Sequence, residues 1–300
     1  MEPQAGLDIK ALAGVVLRRS LGTLLTDKKE TLWEALSPAA KDFVKVNLLS
    51  TVRVIETKDL IHKVSNLLVE VQGGMYEHND AHKIWQDLLN LIFEFVNSSN
   101  NLHVDSALQM FNGLFTYIID HLNKFKSDLL GIFRKTLNHQ SLEIRLAALQ
   151  AVSNYLQTVE AQDTKPFIDL IPDMYNVIRM AANPETEDEI VLQDALIEFN
   201  EIAEIEPKFF QSKFKDIFNN TMDIVSKSDF TNPAIRQQPI EFYVTVIERI
   251  PSIVKKDTEL LKLLIELIFK LMIDIDADIE EEWMKPKEGF KDQDDGEGLS

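Results

Sequence analysis

The sequence predicts an all-α protein built as a solenoid of stacked helical hairpins. Apolar residues recur with helical periodicity along most of the chain, and the alternating β-branched runs that form strands are few. The helices repeat at a regular interval, and no Gly-, Pro- or Ser-rich linker divides the array before its C-terminal end. These observations favour one continuous repeat array over two globular domains.

The repeat is marked by an apolar residue that is followed four positions later by a small or apolar residue. The marker occurs at Ile9/Ala13, Leu60/Val64, Val104/Leu108, Ile144/Ala148, Val191/Ala195 and Ile235/Pro239. The intervals are 51, 44, 40, 47 and 44 residues, close to the period of about 40 to 47 residues in HEAT repeats. We therefore predict a HEAT-repeat α-solenoid, a right-handed superhelix in which each hairpin stacks only on its neighbours.

Each hairpin consists of a first (A) and a second (B) helix, and the chain contains five such pairs. The paired helices are predicted over residues 38–52 and 58–71, 81–96 and 104–119, 124–137 and 141–156, 166–182 and 187–205, and 208–225 and 233–250. A B helix over 8–21 precedes them and an A helix over 258–275 follows them, each without a partner in its own hairpin. The array therefore covers residues 1–275, and its unpaired end helices predict exposed apolar patches and self-association.

Local signals predict where several helices begin, end or bend. Ser37 is a predicted N-cap before Pro38, and Ser141 is expected to cap the B helix that follows it. The Gly73-Gly74 pair is expected to end the B helix of the first hairpin, and Pro172 is expected to kink the A helix that contains it.

The charge is strongly negative and unevenly distributed. The formal net charge is −18, and residues 274–300 contain 11 acidic residues against 3 lysines. Such a field repels phosphate groups, so we expect no direct binding of nucleic acid or of membranes, and it attracts basic proteins. Residues 276–300 are too charged and too poor in apolar side chains to fold alone, which predicts an acidic flexible segment.

No feature of the sequence indicates an enzyme. The chain has no cysteine, and it has no glycine-rich phosphate loop, nucleophile elbow or zincin motif. We therefore predict neither catalytic residues, nor a cofactor, nor a metal site.

Two groups of acidic residues are candidates for binding basic cargo. Asp194, Glu198 and Glu201 lie at i, i+4 and i+7 of one B helix and form a stripe that could face lysine or arginine, although an ordinary solvated helix face has the same pattern. The second group lies in the acidic segment, where a solubilising tail is the alternative and where the tryptophan could stack on arginine or dock the segment. Its members are Glu280, Glu281, Glu282, Trp283, Asp292, Asp294 and Asp295. Two arginines that follow the repeat marker, Arg145 and Arg236, are expected to join neighbouring repeats.

Three stretches resemble the importin-beta (karyopherin-beta) family, in its beta-3 branch. Residues 9–19, Ile-Lys-Ala-Leu-Ala-Gly-Val-Val-Leu-Arg-Arg, are similar to a helix near the start of these receptors. Residues 195–210, which run from Ala-Leu-Ile-Glu to Pro-Lys-Phe-Phe, resemble a segment between repeats, and residues 276–295 resemble the acidic insertion of that branch. Because the stretches occur in the family's order, the resemblance implies an N-terminal portion of such a receptor.

The resemblance implies a nuclear import receptor that shuttles between cytoplasm and nucleus through the nuclear pore. In this family the concave wall of B helices holds basic cargo or the small GTPase Ran in its GTP form, and the convex wall of A helices contacts phenylalanine-glycine nucleoporins. Arg18 and Arg19 match the pair in the helix that lies in the Ran-binding region, with a salt bridge inside the solenoid as the alternative. A second hypothesis is a HEAT-repeat scaffold that organises a protein complex without dependence on Ran.

Overall fold

The computed structural model describes residues 12, 14–21, 23, 31–77, 84–183, 189–226 and 234–273, and within these ranges it is all-α, without a β-strand. Residues 14–21 are helical. The longer helices that follow are α1 (Pro38–Val52), α2 (Lys58–Glu77), α3 (Gln86–Val96), α4 (Asn101–Leu122), α5 (Lys126–Leu137), α6 (Leu142–Thr158), α7 (Ile171–Ala181), α8 (Glu189–Ile205), α9 (Phe214–Ser226), α10 (Ala234–Arg249) and α11 (Thr258–Ile273). Short α-helical turns occur at Leu32–Ala35, Ala161–Thr164 and Ser252–Lys256, and 3₁₀ turns at Asn123–Phe125, Lys165–Leu170 and Pro207–Phe210.

The chain forms two compact units, residues 1–250 and 251–300. In the first unit the helices pair as five hairpins, α1/α2 to α9/α10. The B helices α2, α4, α6, α8 and α10 pack against one another in that order and form a continuous layer. In the described part of the second unit, α11 packs against the short helix Ser252–Lys256.

Side-chain contacts between B helices join residues that are one repeat apart. His62 Nε2 of α2 lies 2.5 Å from Asp105 Oδ2 of α4, a separation of 43 residues in sequence. Gln157 of α6 donates to Glu201 of α8 at 3.0 Å, a separation of 44 residues. These separations agree with the intervals between the sequence markers and confirm that the marker identifies a structural repeat.

Buried aromatic side chains fill the space between successive hairpins. Tyr155 lies within 5.5 Å of Phe115 and within 4.8 Å of Phe167, measured between ring centroids, and thus joins three consecutive hairpins. Further along, Phe242 packs against Phe199 and Phe210 at 5.8 and 4.9 Å. All six rings are buried, so a large part of the apolar surface that drives folding is buried between neighbouring repeats.

The prediction that Gly73 and Gly74 end the B helix of the first hairpin is wrong. Helix α2 continues to Glu77. A Cβ atom on Gly73 would lie 2.6 Å from the Tyr117 ring of α4, and one on Gly113 of α4 would lie 2.6 Å from Val69 of α2. Both glycines therefore permit close approach of two B helices, a use of glycine that sequence alone does not distinguish from a helix end.

The predictions for Pro172 and Ser141 also need correction, whereas the one for Ser37 is confirmed. Pro172 does not kink a single helix, because a 3₁₀ turn occupies Lys165–Leu170 and Pro172 lies in the first turn of α7, where its missing N–H removes no helical hydrogen bond. Ser141 occupies the N-cap of α6, but its side chain makes no capping hydrogen bond, and its N–H donates to His139 Nδ1 at 3.1 Å. The capping predicted for Ser37 is confirmed, because its hydroxyl accepts from the Ala40 N–H at 3.3 Å.

Helix α3 begins at Gln86, five residues after the predicted start at 81, and residues 81–83 lie outside the described residues. The N–H of Trp85, just before α3, donates instead to Gln72 Oε1 of α2 at 2.8 Å. No described helix is both long enough and apolar enough to cross a lipid bilayer.

Candidate protein-binding surface

Helix α8 carries the predicted acidic stripe in the middle of the B-helix layer, between α6 and α10. One side of α8 is buried through its apolar residues Leu192, Ala195, Leu196, Phe199, Ile202 and Ala203. Since α6 and α10 flank this helix, side chains at the edge of the apolar side lie against polar groups of the neighbouring repeats. Asp194, Glu198 and Glu201 follow that edge at helical spacing.

The three carboxylates of this acidic stripe have different environments. Asp194 and Glu201 are exposed, whereas Glu198 retains only 8% of its accessible surface. Glu198 Oε2 is buried and has no hydrogen-bond partner. Burial, reinforced by the charges of Glu201 and Asp194 and opposed by a hydrogen bond from Ser153, raises the pKa of Glu198 to about 7.

Neutral side chains from the adjacent B helices surround the stripe. Ser153 of α6 donates to the backbone carbonyl of Glu198 at 3.4 Å, and Gln157 Nε2 donates to Glu201 Oε2 at 3.0 Å. On the other side, Asn200 Nδ2 donates to Gln238 Oε1 of α10 at 2.6 Å. Among the described residues, no lysine or arginine forms an ion pair with any of the three carboxylates.

Other acidic residues on the B helices have cationic partners. At the N-terminal end of α2, Lys58 Nζ bridges Asp105 of α4, at 3.6 Å, and Glu143 of α6. Burial lowers the pKa of Lys58, but the hydrogen bonds and charges of Glu143 and Asp105 outweigh it and leave that pKa raised. The negative charge at this end of the layer is therefore partly compensated by a lysine of the same chain, whereas no described lysine or arginine pairs with the stripe on α8.

The structure places Arg18 in an ion pair inside the first unit. Its Nε donates to Glu70 Oε2 of α2 at 2.9 Å, and both side chains remain about half exposed. Arg19 is exposed, and its carbonyl oxygen accepts from the Thr23 hydroxyl at 2.7 Å. The salt bridge considered as the alternative for this arginine pair thus exists for Arg18.

Arg145 and Arg236 make hydrogen bonds within their own hairpins. Arg145 Nε donates to the His139 carbonyl, and Arg236 Nε donates to the Val225 carbonyl at 3.0 Å. The Arg145 bond does not link two repeats, contrary to the expectation for this residue. Contacts between repeats are made at other positions of the B helices. Each arginine directly follows the repeat marker in the first turn of its B helix and donates to a carbonyl of the chain that precedes this helix.

The A helices form grooves on the side of the hairpins away from the B layer. A groove of about 520 Å³ between α3 and α5 is lined in part by Phe93, Phe125 and Ile132. A smaller groove of about 270 Å³ lies between α7 and α9. A third cavity, of about 590 Å³, is bounded by residues of the segment 14–21, α1 and α2.

The second predicted acidic group cannot be placed in this surface. Residues 274–300, which contain Glu280 to Trp283 as well as Asp292, Asp294 and Asp295, lie outside the described residues. Within the described ranges, no group of three or more His, Asp or Glu side chains is arranged to hold a metal ion.

Comparison with known proteins identifies relatives over almost the whole chain. A family model described as "IPO5-like, TPR repeats" matches residues 56–220, and a model described as an importin repeat matches residues 228–299. Importin subunit beta-3 of Saccharomyces cerevisiae is 24% identical over 262 residues, which cover 86% of this chain and 22% of that protein.

Solved structures of Kap121p share the fold. Kap121p bound to RanGTP is 18% identical, with a TM-score of 0.72 over 93% of this chain and 25% of that chain. Kap121p bound to Nup53p is 20% identical, with a TM-score of 0.72 over 94% of this chain and 26% of that chain. The chain therefore spans about a quarter of the length of these relatives, and the predicted solenoid fold is confirmed.

Proposed function

Because the chain belongs to the importin-β family, we propose that it acts as a nuclear import receptor, or as part of one, and binds basic protein cargo, Ran-GTP and nucleoporins. The family assignment rests on the IPO5-like model, which covers residues 56–220 of the 300. Importins are transport receptors and not enzymes, and the proposed mechanism accordingly consists of binding and release. Such a receptor would shuttle between cytoplasm and nucleus, without binding nucleic acid or a membrane directly.

The acidic stripe on α8 is the observation that carries the proposal for cargo. Asp194, Glu198 and Glu201 concentrate negative charge on one edge of a helix, and the described residues supply them with no ion-pair partner. Like charges at this spacing destabilise a helix, and a lysine or arginine from a partner would relieve the repulsion. The acidic segment, with Glu280 to Glu282, Trp283, Asp292, Asp294 and Asp295, is proposed as a second contact for basic cargo.

We assign Ran binding to the helical segment that contains Arg18 and Arg19. One relative, Kap121p, has been solved in complex with RanGTP. Arg19 is exposed, and the Arg18–Glu70 pair is an exposed ion pair, which contributes little to stability and can exchange partners. The segment can therefore offer guanidinium groups to an acidic surface of a partner.

Nucleoporin binding is proposed for the groove between α3 and α5. Kap121p has also been solved in complex with Nup53p. The groove offers Phe93, the partly exposed Phe125, and open space beside Gly131, where a Cβ atom would meet no neighbour within 4 Å. An aromatic side chain of a phenylalanine-glycine repeat fits such an apolar groove between A helices.

Retention by Ran locked in its GTP form tests the function. The purified chain is passed over immobilised Ran in the GTP and in the GDP form, and the retained fraction is measured. Retention by the GTP form alone is the expected result, and an Arg18→Ala/Arg19→Ala variant should be retained several-fold less. Equal behaviour towards both nucleotide forms would favour a scaffold that works without Ran.

A further inference from the structure

The acidic stripe on α8 has a feature that a simple charged surface does not require. Its central carboxyl group, Glu198, is more than nine-tenths buried, and its Oε2 atom has no hydrogen-bond donor. A buried acceptor without a donor is unfavourable, and more so when it is charged. The free chain therefore maintains an unfavourable group in the centre of the stripe.

Among the residues that the structure describes, no cation acts on Glu198. The groups that act on its charge are Glu201 and Asp194 on its own helix and the Ser153 hydroxyl on α6. Helix α10 contributes the neutral Gln238, which accepts from Asn200, and neither α7 nor the 3₁₀ turn at Pro207–Phe210 adds a charge that acts on Glu198 among the described residues. Burial beside two carboxylates favours the protonated form.

We propose that the stripe takes a single lysine or arginine side chain of a basic partner, and that Glu198 gives up a proton when this cation binds. Asp194 and Glu201 are exposed and attract the cation, while Glu198 lies between them along the helix and accepts one of its N–H groups. The O–H bond of the Glu198 carboxyl group breaks, the proton passes to the solvent, and the carboxylate forms a charge-assisted hydrogen bond with the ammonium or guanidinium group. The proposal deepens the cargo site assigned above and rests on it.

Proton release makes the affinity depend on pH. The raised pKa of Glu198, about 7, means that about half of the molecules hold the proton at neutral pH. Above that pH the site is ready for a cation, whereas below it the proton and the cation compete. The affinity for a basic partner should therefore rise about tenfold between pH 6 and pH 8.

Calorimetry with a basic peptide tests the proposal. The probe is a peptide of about ten residues in which lysine alternates with glycine, long enough when extended to cross neighbouring B helices. Titration of the full chain at pH 7 in two buffers of different ionisation enthalpy gives the number of protons released for each bound peptide. We expect about half a proton at pH 7 and nearly none at pH 9.

Two variants separate the role of Glu198 from general attraction. Glu198→Gln should still bind the peptide, with no proton release and with a flat pH dependence between pH 6 and pH 8. Glu204→Gln, which changes an exposed glutamate of the same helix, should behave like the wild type. Circular dichroism and thermal unfolding would verify that both variants fold.

Several outcomes would overturn the proposal. Binding without proton release in the wild type, or equal release in Glu198→Gln, would show that Glu198 does not exchange its proton. Failure of the peptide to bind at pH 8, above the pKa of Glu198, would remove the cation site itself. Selective retention by Ran in the GTP form tests the receptor function separately, so a negative calorimetric result would leave that test intact.

Discussion

At the scale of single residues, environment decides what a side chain can do. Asp194, Glu198 and Glu201 have similar chemistry and regular spacing, yet only Glu198 is buried, at a position of α8 where Ser153 of α6 donates to its backbone carbonyl. Sequence spacing predicted the stripe but not this difference, since i, i+4 and i+7 spacing fixes a face of a helix and not its rotation towards a neighbour.

The stability of the chain should depend on pH through Glu198. Its folded-state pKa of about 7 lies above the ordinary value of 4.5, so its favourable contribution is complete below pH 4.5 and is lost as the pH rises through 7. A shift of one pKa unit corresponds to about 1.36 kcal/mol. The variant Glu198→Gln should therefore be more stable than the wild type by up to roughly 3 kcal/mol at pH 8.5 and similar to it at pH 4. Urea unfolding at both pH values measures the difference.

The control for this prediction is Glu204→Gln, whose carboxylate is exposed. Its free energy of unfolding should follow that of the wild type at both pH values. If Glu198→Gln were no more stable than the wild type at pH 8.5, the buried carboxyl group would not be unfavourable in its ionised form.

The effect of replacing a helical glycine by alanine should depend on the space beside the glycine. Gly113→Ala would place a Cβ atom 2.6 Å from Val69, and valine is too rigid to move away easily, so we expect a loss of about 1 to 3 kcal/mol in the free energy of unfolding. Gly131→Ala in α5 meets no atom within 4 Å and should gain roughly 0.5 to 1 kcal/mol. Chemical denaturation of both variants gives the comparison.

A double variant shows whether the contact itself is responsible. In Gly113→Ala/Val69→Ala the contacting methyl groups are absent, and the two changes should cost less together than the sum of their separate costs. Strict additivity would contradict the proposed close approach of α2 and α4.

At the scale of helices, the sequence predicted each element better than its ends. The five hairpins follow from apolar periodicity, which reflects burial along a whole helix. Ends depend on single contacts. Gly73 lies against the Tyr117 ring inside α2 and does not end that helix, and the Ser141 side chain makes no capping hydrogen bond at the start of α6. The short helix Leu32–Ala35, with its capping box between Thr31 and Glu34, was not predicted, although Thr-x-x-Glu is a recognisable signal for it.

Two prolines in helices should respond differently to replacement by alanine. Pro172 lies in the first turn of α7, where no helical hydrogen bond is lost, so Pro172→Ala should change the free energy of unfolding by less than about 0.5 kcal/mol. Pro239 lies inside α10, where alanine restores an N–H donor, and Pro239→Ala should stabilise by about 1 to 2 kcal/mol. Thermal unfolding distinguishes the two, and destabilisation by Pro239→Ala would show that packing of the ring outweighs the missing bond.

At the scale of the whole molecule, the repeat period is the strongest information in the sequence. Contacts at separations of 43 to 45 residues tie successive B helices together, so the fold could be predicted from spacing. The partner of each surface could not be predicted in this way. Burial of Glu198 and the ion pair of Arg18 both depend on the repeat that stacks next to them.

Exposed apolar side chains should lead the chain to self-associate. On α11, Leu261, Ile265, Phe269 and Met272 are exposed at helical spacing and form an apolar stripe. Sedimentation velocity should show an average mass that rises with protein concentration, and Ile265→Lys/Phe269→Glu should reduce that rise. A single monomeric species of the wild type at high concentration would contradict this prediction.

The bridge from Lys58 to both Asp105 and Glu143 has a mechanical consequence. It connects residues 58 and 143, which are 85 positions apart. The bridge therefore holds α2, α4 and α6 together at one end of the B-helix layer. Bending that opens this end must first separate the charges, and dissolved salt weakens exposed pairs. The resistance of this end to bending should therefore fall as the ionic strength rises. The contacts of α8 with its neighbours contain no ion pair among the described residues, so they should respond less to salt.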